Sequence, residues 1–283
     1  MKRALAISLV FITLFSALSA SPWPFIGSAA EKKPFHYLSE NEARYEAYQA
    51  KNPRMPYDKV VAYVNADVDI GFYHRITTVS NADSICVMVN KNFALPTGYA
   101  PPDLTPITGG VMMRKEAAEQ FEKMREEMLR LGYRVHVVVT YRSYSTQTNT
   151  YNNAVSRFGT ANADVSFARP GHSEHQTGLA IDILHMGGFE YMQHSGFEKT
   201  KEFEWLRDNA HRYGFILRYP DGYRDIHGFI FEPWHWRFVG VFIASSMYYG
   251  NIALLEEYYG KHLSPRLFEN GQSETAYSKG PCW

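Results

Sequence analysis

Two stretches carry residues whose types suit metal-assisted hydrolysis: 169–182, Arg-Pro-Gly-His-Ser-Glu-His-Gln-Thr-Gly-Leu-Ala-Ile-Asp, and 232–236, Glu-Pro-Trp-His-Trp. His175, Asp182 and His235 offer two imidazoles and a carboxylate. That is a donor set for a catalytic Zn2+, which takes three protein ligands and keeps a fourth position for water. Glu232, three residues before His235, is then left without a ligand role. A free carboxylate beside a metal-activated water is the proton acceptor that hydrolysis needs, so Glu232 is the expected catalytic base. Each residue has a plainer alternative. Asp182 sits among Ala180, Ile181, Ile183 and Leu184, where an unpaired charge is costly to bury, and a salt bridge to an arginine would also satisfy it. His235 taken alone is a core histidine between Trp234 and Trp236. Metal ligation explains both residues at once.

The elements around these residues must bring the two stretches together. Seven residues separate His175 from Asp182, and strand parity would put them on opposite faces. A turn at Gly178 lets His175 sit in a loop while Asp182 enters the strand that follows, Leu179 to Ile183. Pro233 suits the first position of a helical turn that would set Glu232 and His235 on one face. Tyr141-Arg142-Ser143-Tyr144 and Gln147 fall where a strand, Arg134 to Tyr141, gives way to a polar helix over about 145–157. An arginine there can hold a carboxylate by a two-pronged hydrogen bond; the alternative is a surface arginine. Ser173 reads either as a turn residue or as a partner for a substrate carboxylate.

Further out, Ser39 with Glu42 forms a capping-box pattern ahead of a helix over 39–52. A second helix is expected over about 57–65, with Val60, Val61 and Val64 on one stripe. These two elements make an arm without a core of its own. Residues 85–89 read as a short apolar strand, and 90–106 as a proline-rich loop. A long helix follows from about Arg114 to Leu131, with Ala117, Phe121, Met124, Met128 and Leu131 on its buried face. Ser195 or Thr200 caps a helix that ends at Gly214. A hairpin is expected from Phe215–Arg218 and about Gly228–Phe231, and closing helices over about 237–248 and 251–259. Strands and helices mix without a βαβ rhythm. The expected fold is therefore α+β, a small mostly antiparallel sheet flanked by helices, with a helical N-terminal arm.

Composition narrows the function classes. The chain has 283 residues and balanced charge, 29 basic against 29 acidic, which argues against a nucleic-acid partner. Lys2 and Arg3 precede an apolar run to about Leu18 and then the small residues Ser19, Ala20 and Ser21. This has the form of a secretory signal; an uncleaved membrane tether is the alternative. The mature protein is expected outside the cytoplasmic membrane, secreted, wall-associated or anchored at its outer face. Cys86 and Cys282 are the only cysteines, too few for a disulfide framework or a zinc–thiolate site. Cys86, within Ile85-Cys-Val-Met-Val89, reads as a buried small apolar residue rather than a disulfide partner.

At this point a resemblance is legible. Ala168 to Asp182 resembles the Ser-x-His-x-x-Gly-x-Ala-x-Asp motif of the VanY-type D-alanyl-D-alanine carboxypeptidases, which belong with the lysostaphin and hedgehog-like zinc peptidases. Glu232-Pro-Trp-His-Trp-Arg-Phe-Val-Gly240 is similar to that family's second motif. Tyr141-Arg-Ser-Tyr-x-x-Gln147 is similar to its substrate-binding motif. Weaker likenesses at Val89-Asn-Lys, Tyr99-x-Pro-x-Asp-Leu104, Tyr213 to Pro220, Arg44 to Tyr48 and Val60 to Asn65 extend it over about 40–260. The resemblance implies Zn2+ held by His175, Asp182 and His235, Glu232 as base, and Arg142, Ser173 and Gln147 at the peptide's end. It implies removal of the C-terminal D-alanine from peptidoglycan stem peptides. An L,D-carboxypeptidase, a wall endopeptidase or a non-catalytic wall-binding module would be alternatives on the same fold. His172, His185 and His227 lie near the motifs without an assigned role. The expected organisation is a signal peptide or anchor at 1–20, linker and arm at 21–84, zinc peptidase domain at 85–265 and a tail at 266–283.

Overall fold

The computed structural model describes residues 33–186 and 196–262; the signal-like run, Ser195, Cys282 and the tail lie outside them. In chain order the elements are α1 (Glu42–Lys51), α2 (Tyr57–Asn65), β1 (Thr77–Thr78), β2 (Phe93–Ala94), β3 (Leu104–Pro106), β4 (Met112–Arg114), α3 (Lys115–Arg130), β5 (Val135–Val139), α4 (Tyr144–Phe158), α5 (Thr160–Asp164), β6 (Ala180–His185), α6 (Lys201–Asn209), β7 (Phe215–Leu217), α7 (Arg224–His227), β8 (His235–Phe238), α8 (Val241–Tyr249) and α9 (Leu255–His262). The fold is α+β. Its central sheet runs β5-β6-β8-β7 with every neighbour antiparallel, and the helices flank it.

The core gathers where α3 meets the sheet. Ala117, Phe121, Met124 and Met128 are the buried stripe of α3, and they share one cluster with Ile181, Ile183, Trp236 and Phe238. Leu131, expected on that stripe, is 54% exposed. It stands at the helix's C-cap, where the chain has already turned away, and Gly132 follows at φ +85°. Thr200 caps α6, accepting from the Phe203 amide at 3.2 Å. Ser39 makes no cap; it falls inside a short 3-10 turn.

Several expected elements differ from those found. Residues 85–89 are buried but form no strand. The carbonyls of Ile85 and Val87 accept from the Arg237 guanidinium at 3.2 and 2.8 Å, so they need no neighbouring strand. Cys86 is disulfide-bonded rather than an unpaired apolar residue. β7 pairs with β8, not with 228–231, because α7 and a glycine turn occupy the expected hairpin. The closing helix expected from about 237 starts only at Val241, and residues 237–238 end the strand β8.

The arm has a small core of its own, contrary to expectation: Tyr45, Val60, Val61 and Val64 are fully buried together. It also packs on α9. A Cβ at Gly260 would lie 1.8 Å from the Ala62 carbonyl oxygen, so only glycine admits this approach of α2 to α9. Asn65 Nδ2 donates to the Gly260 carbonyl at 3.1 Å. From Pro34 on, arm and main domain form one compact unit.

Candidate metal centre and active site

β6 and β8 are adjacent strands, and their register sets Asp182 directly opposite His235. Side chains opposite each other in a ladder share a face, so a carboxylate and an imidazole meet without any loop. His175 comes from the other direction, on the 3-10 turn Glu174–Thr177. Gly178, at φ +67°, reverses the chain between that turn and β6. Beyond the end of β5, the Thr140 carbonyl receives the His175 Nδ1–H at 2.7 Å. That bond fixes the tautomer and leaves the Nε2 lone pair facing inward.

The inward atoms converge. His175 Nε2 lies 3.4 Å and His235 Nδ1 3.0 Å from Asp182 Oδ1, and the three donor atoms all lie within 4.8 Å of one another. Tetrahedral zinc with bonds of about 2.0–2.1 Å spaces its ligands by roughly 3.3 Å, which matches the two printed separations. Asp182 Oδ1 is buried and meets the geometric criteria for a hydrogen bond with none of the described residues. An anionic oxygen facing imidazole nitrogens calls for a cation between them. His235 is raised to about 9: burial alone would lower it, but the Asp182 and Glu174 carboxylates outweigh burial. Both carboxylates demand positive charge at this spot, and a divalent ion fits the residues present.

Glu232 precedes the turn into β8. The His235 amide donates to the Glu232 carbonyl at 3.1 Å, so a β-turn, not the expected helical turn, joins them. Its carboxylate Oε2 stands 3.9 Å from His235 Nδ1, beside the ligand set but outside it. Burial, the largest influence, pushes this carboxyl up to about 8, with Asp182 adding to it.

These groups line a cleft of about 760 Å³ with Arg142 and Ser173. The Arg142 amide donates to the His175 carbonyl at 3.1 Å, and Arg142 Nη2 approaches Ser173 Oγ at 3.5 Å. Arg142 Nε is buried without a hydrogen-bond partner among the described residues, a free cationic donor at the cleft. Gln147, expected at the substrate, does not line the cleft. Its Nε2 donates to the Ala168 carbonyl at 2.6 Å, so it supports the loop that does. The register slips between Val137 and Val139, and the bulged Val138 reaches the cleft, a common use of a bulge.

Four charged residues escaped the sequence reading. His235 Nε2–H donates to Glu174 Oε2 at 3.3 Å. Glu174 Oε1 in turn accepts from Arg218 Nε and Arg237 Nη1, each at 2.8 Å, and Arg218 reaches on to Glu256 at 2.6 Å. Three of them lay inside the matched motifs without an assigned role; Glu256 had no local signal. His172 and His227 bond to the carbonyls of Asn90 and Pro220 and His185 meets Glu202, away from the ligand set.

Fold and site together define a metal-dependent hydrolase. The family model described as VanY: D-alanyl-D-alanine carboxypeptidase matches residues 110–241. YodJ of Bacillus subtilis (strain 168), named as a carboxypeptidase, is 39% identical over 205 residues, 68% of this chain and 73% of that protein. The LdcB LD-carboxypeptidase, solved to explain peptidoglycan recognition, superposes with a TM-score of 0.61 at 39% identity, over 66% of this chain and 90% of that one. A mutant of the vancomycin-resistance D,D-pentapeptidase VanY, from a VanB-type cassette and in complex with Zn(II), gives 0.53 at 29% identity, over 61% of this chain and 97% of that one. The chain belongs to the VanY-type D-alanyl-D-alanine carboxypeptidase family and is a zinc metallocarboxypeptidase.

Proposed function

We propose that the protein releases the C-terminal D-alanine of peptidoglycan stem peptides, outside the cytoplasmic membrane. His175, Asp182 and His235 hold the zinc, which supplies a Lewis acid for the scissile carbonyl and lowers the pKa of a water towards ~7. Arg142 takes the peptide's terminal carboxylate, with Ser173 beside it. Glu232 accepts the proton of the attacking water and passes it to the departing amine. The observation that carries this reading is one geometry: a free acid beside three converging donor atoms, in a cleft that also presents a guanidinium whose Nε has no partner among the described residues.

The bond before that D-alanine divides two versions. The description of the matching family model favours a D,D bond, and this is the first reading. The higher identity to LdcB favours an L,D bond. Mass spectrometry of stem pentapeptide and tetrapeptide digests, with and without chelator, tests both. The D,D reading predicts chelator-sensitive loss of one alanine from the pentapeptide alone; loss from the tetrapeptide alone establishes the L,D reading. An intact mixture, or cleavage that resists chelator, contradicts both. Extracytoplasmic action rests on the form of residues 2–21 and on the wall substrate. Among the described residues no helix is long and apolar enough to cross a membrane.

A further inference from the structure

Behind His235 lies a relay of four ions, Glu174, Arg218, Arg237 and Glu256, each 1% exposed or less. Two anions and two cations balance, so no charge is left uncompensated away from water. Glu174 sits at the junction. One oxygen accepts the outer N–H of His235 and the other takes both arginines. Arg218 is shared: Nε serves Glu174, while Nη1 and Nη2 grip Glu256 at 3.0 and 2.6 Å. Asn90 Nδ2 also donates to Glu256, at 3.3 Å. Glu256 lies on α9, beyond residues 110–241 that the family model matches.

We propose that Glu256 is a positioning residue of the zinc site, acting through Arg218 and Glu174 on the His235 ring. This rests on the reading of His235 as a zinc ligand. The carboxylate behind a ligating histidine sets the ring's orientation and its donor strength. With Glu256 in place, Arg218 is held at two carboxylates and Glu174 keeps one oxygen for His235. Without Glu256, Glu174 alone faces two guanidiniums, and the surroundings of the metal gain one net positive charge. Both changes oppose binding of a cation. The neighbouring Glu257 offers a contrast. It is also buried, but its carboxylate pairs with Lys59 and Lys261 at 3.3 and 2.9 Å, outside the relay.

The experiment measures zinc affinity of the metal-stripped full chain by competition with a chromogenic chelator. Near-UV circular dichroism verifies folding of each variant. E174Q is expected to weaken zinc binding about 10- to 100-fold, as for other residues that orient a ligand. E256Q should weaken it at least about threefold, and the E174Q/E256Q double variant should lose clearly less than the product of the two single losses, because part of the Glu256 effect passes through Glu174. E257Q should bind like the parent chain. Unchanged affinity in E256Q overturns the proposal. So does a full additional loss in the double variant, or an equal loss in E257Q, which would mark general damage to α9. A parent chain that binds no zinc would instead sink the metal-site reading itself. Should E256Q fail to fold, Glu256→Asp takes its place in the cycle under the same criteria.

Discussion

Asp182 and Glu232 are two acids in one cleft, and their surroundings push them in opposite directions. Burial would raise Asp182, but the flanking His175 and His235 hold it well below the usual carboxylate range. It stays an anion and suits a ligand. Glu232 is pushed up to about 8, chiefly by burial, which suits a group that must take up and release a proton. Glu232→Gln should keep its zinc, measured by metal analysis, and lose about 10²- to 10⁴-fold in kcat/KM; near-normal turnover would remove Glu232 from the mechanism. A base works only when unprotonated, so kcat/KM should fall as pH drops through the Glu232 pKa. A nearby cation pulls that pKa down from about 8, while burial pushes the other way, up from the ordinary 4.5. The acid limb should therefore lie between those values; a limb at or below 4.5 would contradict the assignment. Arg142→Met should cost about 10- to 100-fold in kcat/KM on peptides with a free terminal carboxylate, the worth of a charge-assisted hydrogen bond. It should cost little on the amidated peptide; an equal loss on both would deny Arg142 the carboxylate.

At the scale of elements, the site depends on two adjacent strands, one glycine turn and a distant helix. The converging donors are legible because their chemistry is unusual for their setting: an aspartate in an apolar strand, and a histidine between two tryptophans beside a proline turn. The relay is not, because Glu174 and Arg218 are 44 residues apart and Arg237 and Glu174 are 63 apart. Nothing local marks such a pair. The end of β8 reads as the start of the closing helix because all four strand residues are buried, and a run buried on both faces shows no period of two. Residues 85–89 read as a strand because apolar composition does not reveal that a guanidinium, rather than a sheet neighbour, satisfies the carbonyls of Ile85 and Val87. The closeness of α2 to α9 makes its own prediction. Gly260→Ala drives a methyl into the Ala62 carbonyl and should cost about 1–3 kcal/mol, as overpacking does, read as a lower Tm. An unchanged Tm would mean that the two helices do not touch in solution.

For the whole molecule, metal and fold are linked. On the proposed ligand set, zinc would tie the loop before β6 to β6 and β8, and would bind the folded chain in preference to the unfolded one. Saturating zinc at 100 times its Kd should stabilise the chain by about 2.7 kcal/mol, seen as a higher Tm that chelator reverses; a Tm indifferent to zinc would break that linkage. The central claim is that residues from two distant stretches share one ion and leave Glu232 unbound beside it. A crystal structure of the zinc-loaded protein, with data at the zinc absorption edge, measures this directly. The account predicts one anomalous peak per chain, bonded to His175 Nε2, His235 Nδ1 and an Asp182 carboxylate oxygen, with the Glu232 carboxylate close by but not coordinated. A peak on other residues, or Glu232 inside the coordination shell, would contradict it.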